Sequence, residues 1–216
     1  MLKEKFKKDF DEVIGMYNPT ILRRFDHSRA EKKLPEMVIY MLSKVGVSSW
    51  LDGIFRTCDP ELIWPSLDDA LDGKNLLRPS DCVPYLISAF GVVYAWNAVL
   101  GAIKFDFQRG RITCFEDPNV ENHVNNEGSF LAPFIAEKDT YDEYGLYDAA
   151  VKKFGPLSEN QIFSFAPIFA LGGQPEHSNL IVTDVRAHLA LLAQSQEFDI
   201  LHFDSERYPG GFERIE

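Results

Sequence analysis

"CVPYLISAFGVVYAWNAVLGAI", Cys82 to Ile103, runs 22 residues without a charged side chain. That length is enough to cross a bilayer as a helix. Against a membrane helix stand Pro84, Ser88, Gly91, Asn97 and Gly101, which punctuate the run at strand-length intervals. The overlapping segment "AIKFDFQRGRITCFED", 102–117, alternates apolar and polar residues around Arg109-Gly110. With those two as the loop of a hairpin, Phe107 pairs with Ile112 and Phe105 with Cys114, and Ile103 joins their apolar face. Phe115 breaks the alternation by falling on the polar face. The uncharged run therefore reads as two buried strands feeding an antiparallel hairpin.

Helices precede this β region. Phe6, Phe10, Val13, Ile14 and Tyr17 fall on one face of a helix over 2–17. "LPEMVIYMLSKVG", Leu34 to Gly46, is a second helix, with Pro35 in its first turn and Gly46 at its stop. Asp52-Gly53 marks a turn before a short strand, Ile54 to Cys58. Pro60 opens a helical stretch that Pro65 is expected to interrupt and Gly73 to end. The segment 117–140 is the weakest for regular structure, although "SFLAPFIA" within it needs a place to pack. Beyond it, Tyr141 to Phe154 predicts a helix burying Tyr147, Ala150, Val151 and Phe154. A last helix begins at Asp184 and places Val185, Leu189 and Leu192 on one face.

The 216 residues are 45% hydrophobic and 13% aromatic, a globular composition, with a formal net charge of −11. The charge is uneven: residues 1–33 carry 9 basic and 6 acidic side chains, residues 34–216 carry 13 and 27. An acidic body repels phosphate backbones and attracts basic partners. Cys58, Cys82 and Cys114 are odd in number and lack short spacing, which predicts reduced, buried thiols. The start "MLKEKFKKDFDEV" has no apolar stretch of the secretory kind.

Catalytic signatures are missing from the sequence. The five histidines, His27, His123, His177, His188 and His202, have no metal-ligand spacing, and His188 reads as a helix-packing residue with a backbone partner. Neither a nucleophile elbow nor a phosphate-binding lysine loop occurs. The glycines of "ALGGQPEHSNL" lack a dinucleotide frame and read as a tight turn between a buried strand and a helix. Paired carboxylates, such as Asp68 with Asp69, point apart when they are sequence neighbours. The residues alone thus describe an acidic α+β interaction protein.

Two stretches carry a resemblance. "AAVKKFGPLSENQIFSFAPIFALGG" (Ala149–Gly173) and "VRAHLALLAQ" (Val185–Gln194) resemble the C-terminal domain of a bacterial immunity family that neutralises DNase effectors of the type VI secretion system. The carriers are Gly155-Pro156-Leu157, Phe165, Pro167, Ala170 to Gly173, and His188 to Gln194. Upstream, "LPEMVIYMLSKVG", "SSWLDGIFRTCDP" (Ser48–Pro60) and "FGVVYAW" (Phe90–Trp96) are similar to the GAD-like domain that precedes it in that family. The resemblance divides the chain into a GAD-like domain over 1–120, a connecting region over 121–140, an immunity domain over 141–206 and a tail over 207–216. It implies an antiparallel sheet flanked by helices, followed by a smaller mixed helix/strand domain.

The resemblance also implies a function: a non-enzymatic, cytoplasmic protein that binds a cognate basic DNase toxin and protects producer and sibling cells. No cofactor, metal, direct nucleic acid or membrane contact is expected. The motif residues are apolar or glycine, so the interface expectation rests on residue type. It places Trp50 and Asp52 on an exposed turn, Glu116, Asp117 and Glu121 after the hairpin, and Asp139, Asp142 and Glu143 at a helix start. A regulatory scaffold of the SMI/KNR-like kind is the alternative, and converging carboxylates of a metal-dependent hydrolase a third.

Overall fold

The computed structural model describes residues 2–26, 34–117, 127–208 and 210–216. Helix α1 (Glu4–Tyr17) and strand β1 (Thr20–Arg23) lead to α2 (Glu36–Val45), β2 (Val47–Trp50), β3 (Phe55–Thr57) and α3 (Pro60–Ala70). Four strands follow: β4 (Cys82–Ser88), β5 (Val92–Asn97), β6 (Gly101–Asp106) and β7 (Arg111–Cys114). After α4 (Glu127–Leu131), α5 (Lys138–Tyr141) and α6 (Tyr147–Phe154) comes a hairpin of β8 (Gln161–Phe165) and β9 (Leu180–Asp184). Helix α7 (Val185–Ser195), β10 (Asp199–Phe203) and β11 (Phe212–Arg214) complete the described chain.

One sheet of nine strands runs β1-β2-β3-β4-β5-β6-β7-β10-β11. Its pairs are antiparallel except β7 with β10, which is parallel. Strand β5 explains the uncharged run over 82–103. Val92, Tyr94 and Trp96 enter one core and Val93 and Ala95 the other, so both faces of the strand are buried. The first core lies under α1, α2 and the 127–141 segment, where Phe6, Phe10, Met41, Phe130 and Phe134 meet Trp50, Phe55 and Tyr85. The second lies under α3 and α7, where Ile63, Leu67, Leu189 and Leu192 meet Ile103, Phe105, Ile112 and Ile200. Among the described residues no helix is long and apolar enough to cross a membrane.

Several details depart from expectation. The β6–β7 hairpin pairs Phe105 with Ile112 and Ile103 with Cys114, two residues away from the register that alternation suggested. A slip of two leaves each side chain on its face, so the pattern is blind to it. The longer turn is closed by Asp106, whose carboxylate accepts from the Arg109 N–H at 3.2 Å. Helix α3 continues through Pro65, which sits on the exposed side of the helix. The helix expected over 141–154 is split, and α6 starts only at Tyr147, where the Asp142 carboxylate takes the N–H groups of Leu146 and Tyr147. Phe154 at the helix end is exposed, with the Lys153 ammonium 4.8 Å from its ring centre.

Gly172-Gly173 joins two strands, β8 and β9, rather than a strand and a helix, and the strand ends early, at Phe165. Gly173 lies against the Pro167 carbonyl, and a Cβ there would stand 1.7 Å from that oxygen. The tail is part of the fold. Strand β11 pairs with β10, and the Glu216 carboxylate accepts from the N–H groups of Asn75 and Leu76, each at 2.9 Å.

A buried arginine ties the β8–β9 hairpin to the sheet. Arg56 on β3 donates to the carbonyls of Ser158 and, at 2.6 Å, of Gln161. Replacing it (Arg56→Ala) leaves both carbonyls unpaired beside a void. Thermal unfolding should report a loss of about 2–4 kcal/mol.

Candidate functional site

The turn after β2 is the most constrained surface feature. Trp50 is fully buried, stacked on Phe55 with centroids 5.8 Å apart and bonded through Nε1 to Ser48 Oγ at 2.9 Å. The exposed anchor expected at Trp50 is therefore corrected: so large an apolar side chain is driven inward and pins the turn from below. The next three residues all have positive φ: Leu51 at 47°, Asp52 at 59° and Gly53 at 98°. Only the glycine adopts this region freely. Asp52 is thrust into solvent by that reversal.

The turn is held from across the chain by Tyr147, whose hydroxyl donates to the Asp52 carbonyl at 2.6 Å. Around it the structure gathers charge. Lys138 lies 5.4 Å from the Tyr147 ring centre and pairs with Asp148 at 2.8 Å. Its ammonium is held above the ordinary lysine range by the Asp148 hydrogen bond, aided by the fields of Asp142 and Asp52. The exposed Asp139 follows Lys138 on the same short helix. Of the residues expected at an interface, Asp52, Asp139 and Asp142 are thus brought to one junction. Asp142 is occupied there in capping α6.

The others lie elsewhere. Glu143 is engaged internally, pairing with both Lys104 and Arg109. Burial opposes its charge, but the two cations prevail and hold its carboxyl below the usual range. Arg109 also pairs with the buried Asp106 at 2.8 Å and lies 4.9 Å over the Tyr144 ring. Asp117 pairs with Arg207 at 3.1 Å, and half-buried Glu116 sits beside it. Glu121 lies outside the described residues. Asp148 and Lys138 escaped the sequence reading and Tyr147 was read only as a core residue, since nothing in spacing ties 138–148 to residue 52.

Among the described residues no group of three histidine, cysteine or acidic side chains is placed to hold a metal ion. The three cysteines are free and buried, and burial pushes the Cys82 and Cys114 thiols up to about 12. Such thiols are poor nucleophiles at neutral pH. A serine–histidine contact does occur, Ser164 Oγ to His188 Nε2 at 2.6 Å. Both residues are buried, and Gln108 Nε2 donates to the same hydroxyl at 2.7 Å. The histidine thus has a side-chain partner in place of the backbone partner expected.

Residues 6–105 match the model of the GAD-like domain, and residues 125–195 match that of the T6SS immunity protein Tdi1, C-terminal. Residues 125–195 thus carry the C-terminal domain of a type VI secretion immunity family, and residues 6–105 a GAD-like domain. A solved structure, described as the crystal structure of Atu4351 from Agrobacterium tumefaciens, is similar over 96% of both chains, with a TM-score of 0.79 and 23% identity. At that identity the likeness speaks for the fold. Among curated proteins no relative matches the sequence.

In this chain the acidic junction lies where the two matched segments meet: Asp52 belongs to the first, Lys138 to Asp148 to the second. Removing the bond that ties them (Tyr147→Phe) should cost about 1 kcal/mol in denaturant unfolding and loosen the turn. Ser164 accepts from Gln108, and its hydroxyl shares a hydrogen bond with His188 Nε2 in which either group can be the donor. Burial holds the His188 pKa below 6.5. Its contribution to stability is complete above that value and is lost as pH falls toward the folded-state pKa. Melting temperature should therefore drop below pH 6.5 in the native protein, and less steeply in His188→Gln.

Proposed function

We propose that this immunity protein neutralises a DNase effector of the type VI secretion system by binding it in the cytoplasm of producer and sibling cells. It carries out no chemistry itself. Supporting this reading is the acidic junction, where Asp52, Asp139 and Asp148 face solvent around a single lysine. A nuclease holds phosphates with cationic side chains around its active site. A rigid set of carboxylates meets the same cations, speeds encounter and excludes the nucleic acid. The strained Asp52 turn suits this task, because a carboxylate fixed in advance loses little freedom on binding.

Association with the purified nuclease encoded beside this gene should slow steeply as salt rises. The double variant Asp52→Lys/Asp139→Lys should associate about tenfold or more slowly at low salt and fail to rescue cells expressing the nuclease. Both positions are exposed, so melting should be nearly unchanged. Failure of the unaltered protein to retain that nuclease or to protect the cells contradicts the proposal.

A further inference from the structure

Strands β10 and β11 carry the sheet beyond the helices that cover its first core. Register sets His202 opposite Cys114 and Phe203 opposite Phe212. Phe115, just past the end of β7, Phe203 on β10 and Phe212 on β11 therefore stand in one row, with ring centroids 6.0 and 5.0 Å apart. Phe115 is 42% exposed and Phe212 50%. Phe115 also walls a groove of about 310 Å³ formed with Tyr94, Ala102, Pro133 and Ala136, almost wholly apolar. Phe212 walls a second cavity of about 180 Å³, whose charged lining includes Lys104, Arg109, Arg111 and Glu143.

In that second cavity the charges do not balance. Lys104 and Arg109 share Glu143, and Arg109 also holds Asp106. Arg111 is exposed and makes no ion pair among the described residues. An apolar strip thus ends on a guanidinium that lacks a carboxylate, the group it binds best in a two-pronged contact. Among the described residues β11 pairs only with β10, so its outer edge offers free backbone groups to an added strand.

We infer that this face is a second docking surface, separate from the acidic junction. It takes an extended segment of the effector that places apolar side chains on the phenylalanine row and a carboxylate on Arg111. The identity of the partner rests on the immunity reading; the chemistry of the segment rests on the surface. A second copy of this chain is a poorer occupant, because two-fold pairing would set the same guanidinium-bearing face on both sides. Docking at two surfaces of opposite chemistry fixes the orientation of a bound nuclease, which the acidic junction alone does not.

The test is calorimetric titration of the full chain with the neighbouring nuclease, using Arg111→Glu and Phe115→Ser/Phe212→Ser, with Arg111→Lys and Asp52→Lys/Asp139→Lys alongside. Arg111→Glu and the double serine variant should each weaken the dissociation constant about tenfold or more, with Arg111→Lys intermediate. If the serine variant melts early, Arg111→Glu decides alone. Affinities within about twofold of the unaltered protein overturn this inference while leaving the immunity reading intact. Serine substitutions that merely turn a dimer of this chain into a monomer, with effector affinity kept, overturn it in favour of self-association. No binding by the unaltered protein overturns both readings.

Discussion

The Arg56 guanidinium is the contact on which the arrangement of the two halves depends. It is 2% exposed, no carboxylate among the described residues bonds to it, and its partners are the two carbonyls of the turn entering β8. Burial lowers its pKa to about 10, which still leaves it charged at neutral pH. Burying an unpaired cation is costly, so the carbonyl dipoles facing it must be held firmly in place. Beside it the Phe163 N–H donates to the Ala89 carbonyl at 2.8 Å, and at the surface Arg23 bridges Asp59 and Glu159. Together these contacts fasten the hairpin to the sheet, and α7 follows directly from β9 into the second core.

With the hairpin fixed, the junction at Asp52 has a rigid base. Two successive non-glycine residues in the left-handed region cost on the order of 1–2 kcal/mol each. Trp50 from below and Tyr147 from the side hold the turn against that cost. The strain supports a role in presentation, since a relaxed turn would present Asp52 less rigidly. The carboxylates that were expected at an interface but are spent internally serve the same base: Asp142 starts α6, and Glu143 secures the segment before it to β6 and the following turn.

Burial patterns were legible in the sequence and partnerships were not. The absence of charge over 82–103 is a direct consequence of strands buried on two faces, and the 3.6-residue spacing of Phe6, Phe10 and Val13 follows from a one-sided helix. The hairpin register was hidden because alternation repeats every two residues. Trp50 reads as surface when judged by the Asp-Gly beside it, yet its area decides its position. Glu143 looks like a free acid in sequence, since its cations lie on β6 and in the following turn. The phenylalanine row was hinted at only by Phe115 on the polar face, for Phe203 and Phe212 are far from it in sequence and no spacing ties them to it.

The central claim, that the acidic junction grips the effector, is tested most directly by hydrogen exchange on the complex with the neighbouring nuclease. Amides of 51–53 and 138–148 should slow on binding. A complex that forms and leaves those amides exchanging as in the free protein would contradict the claim.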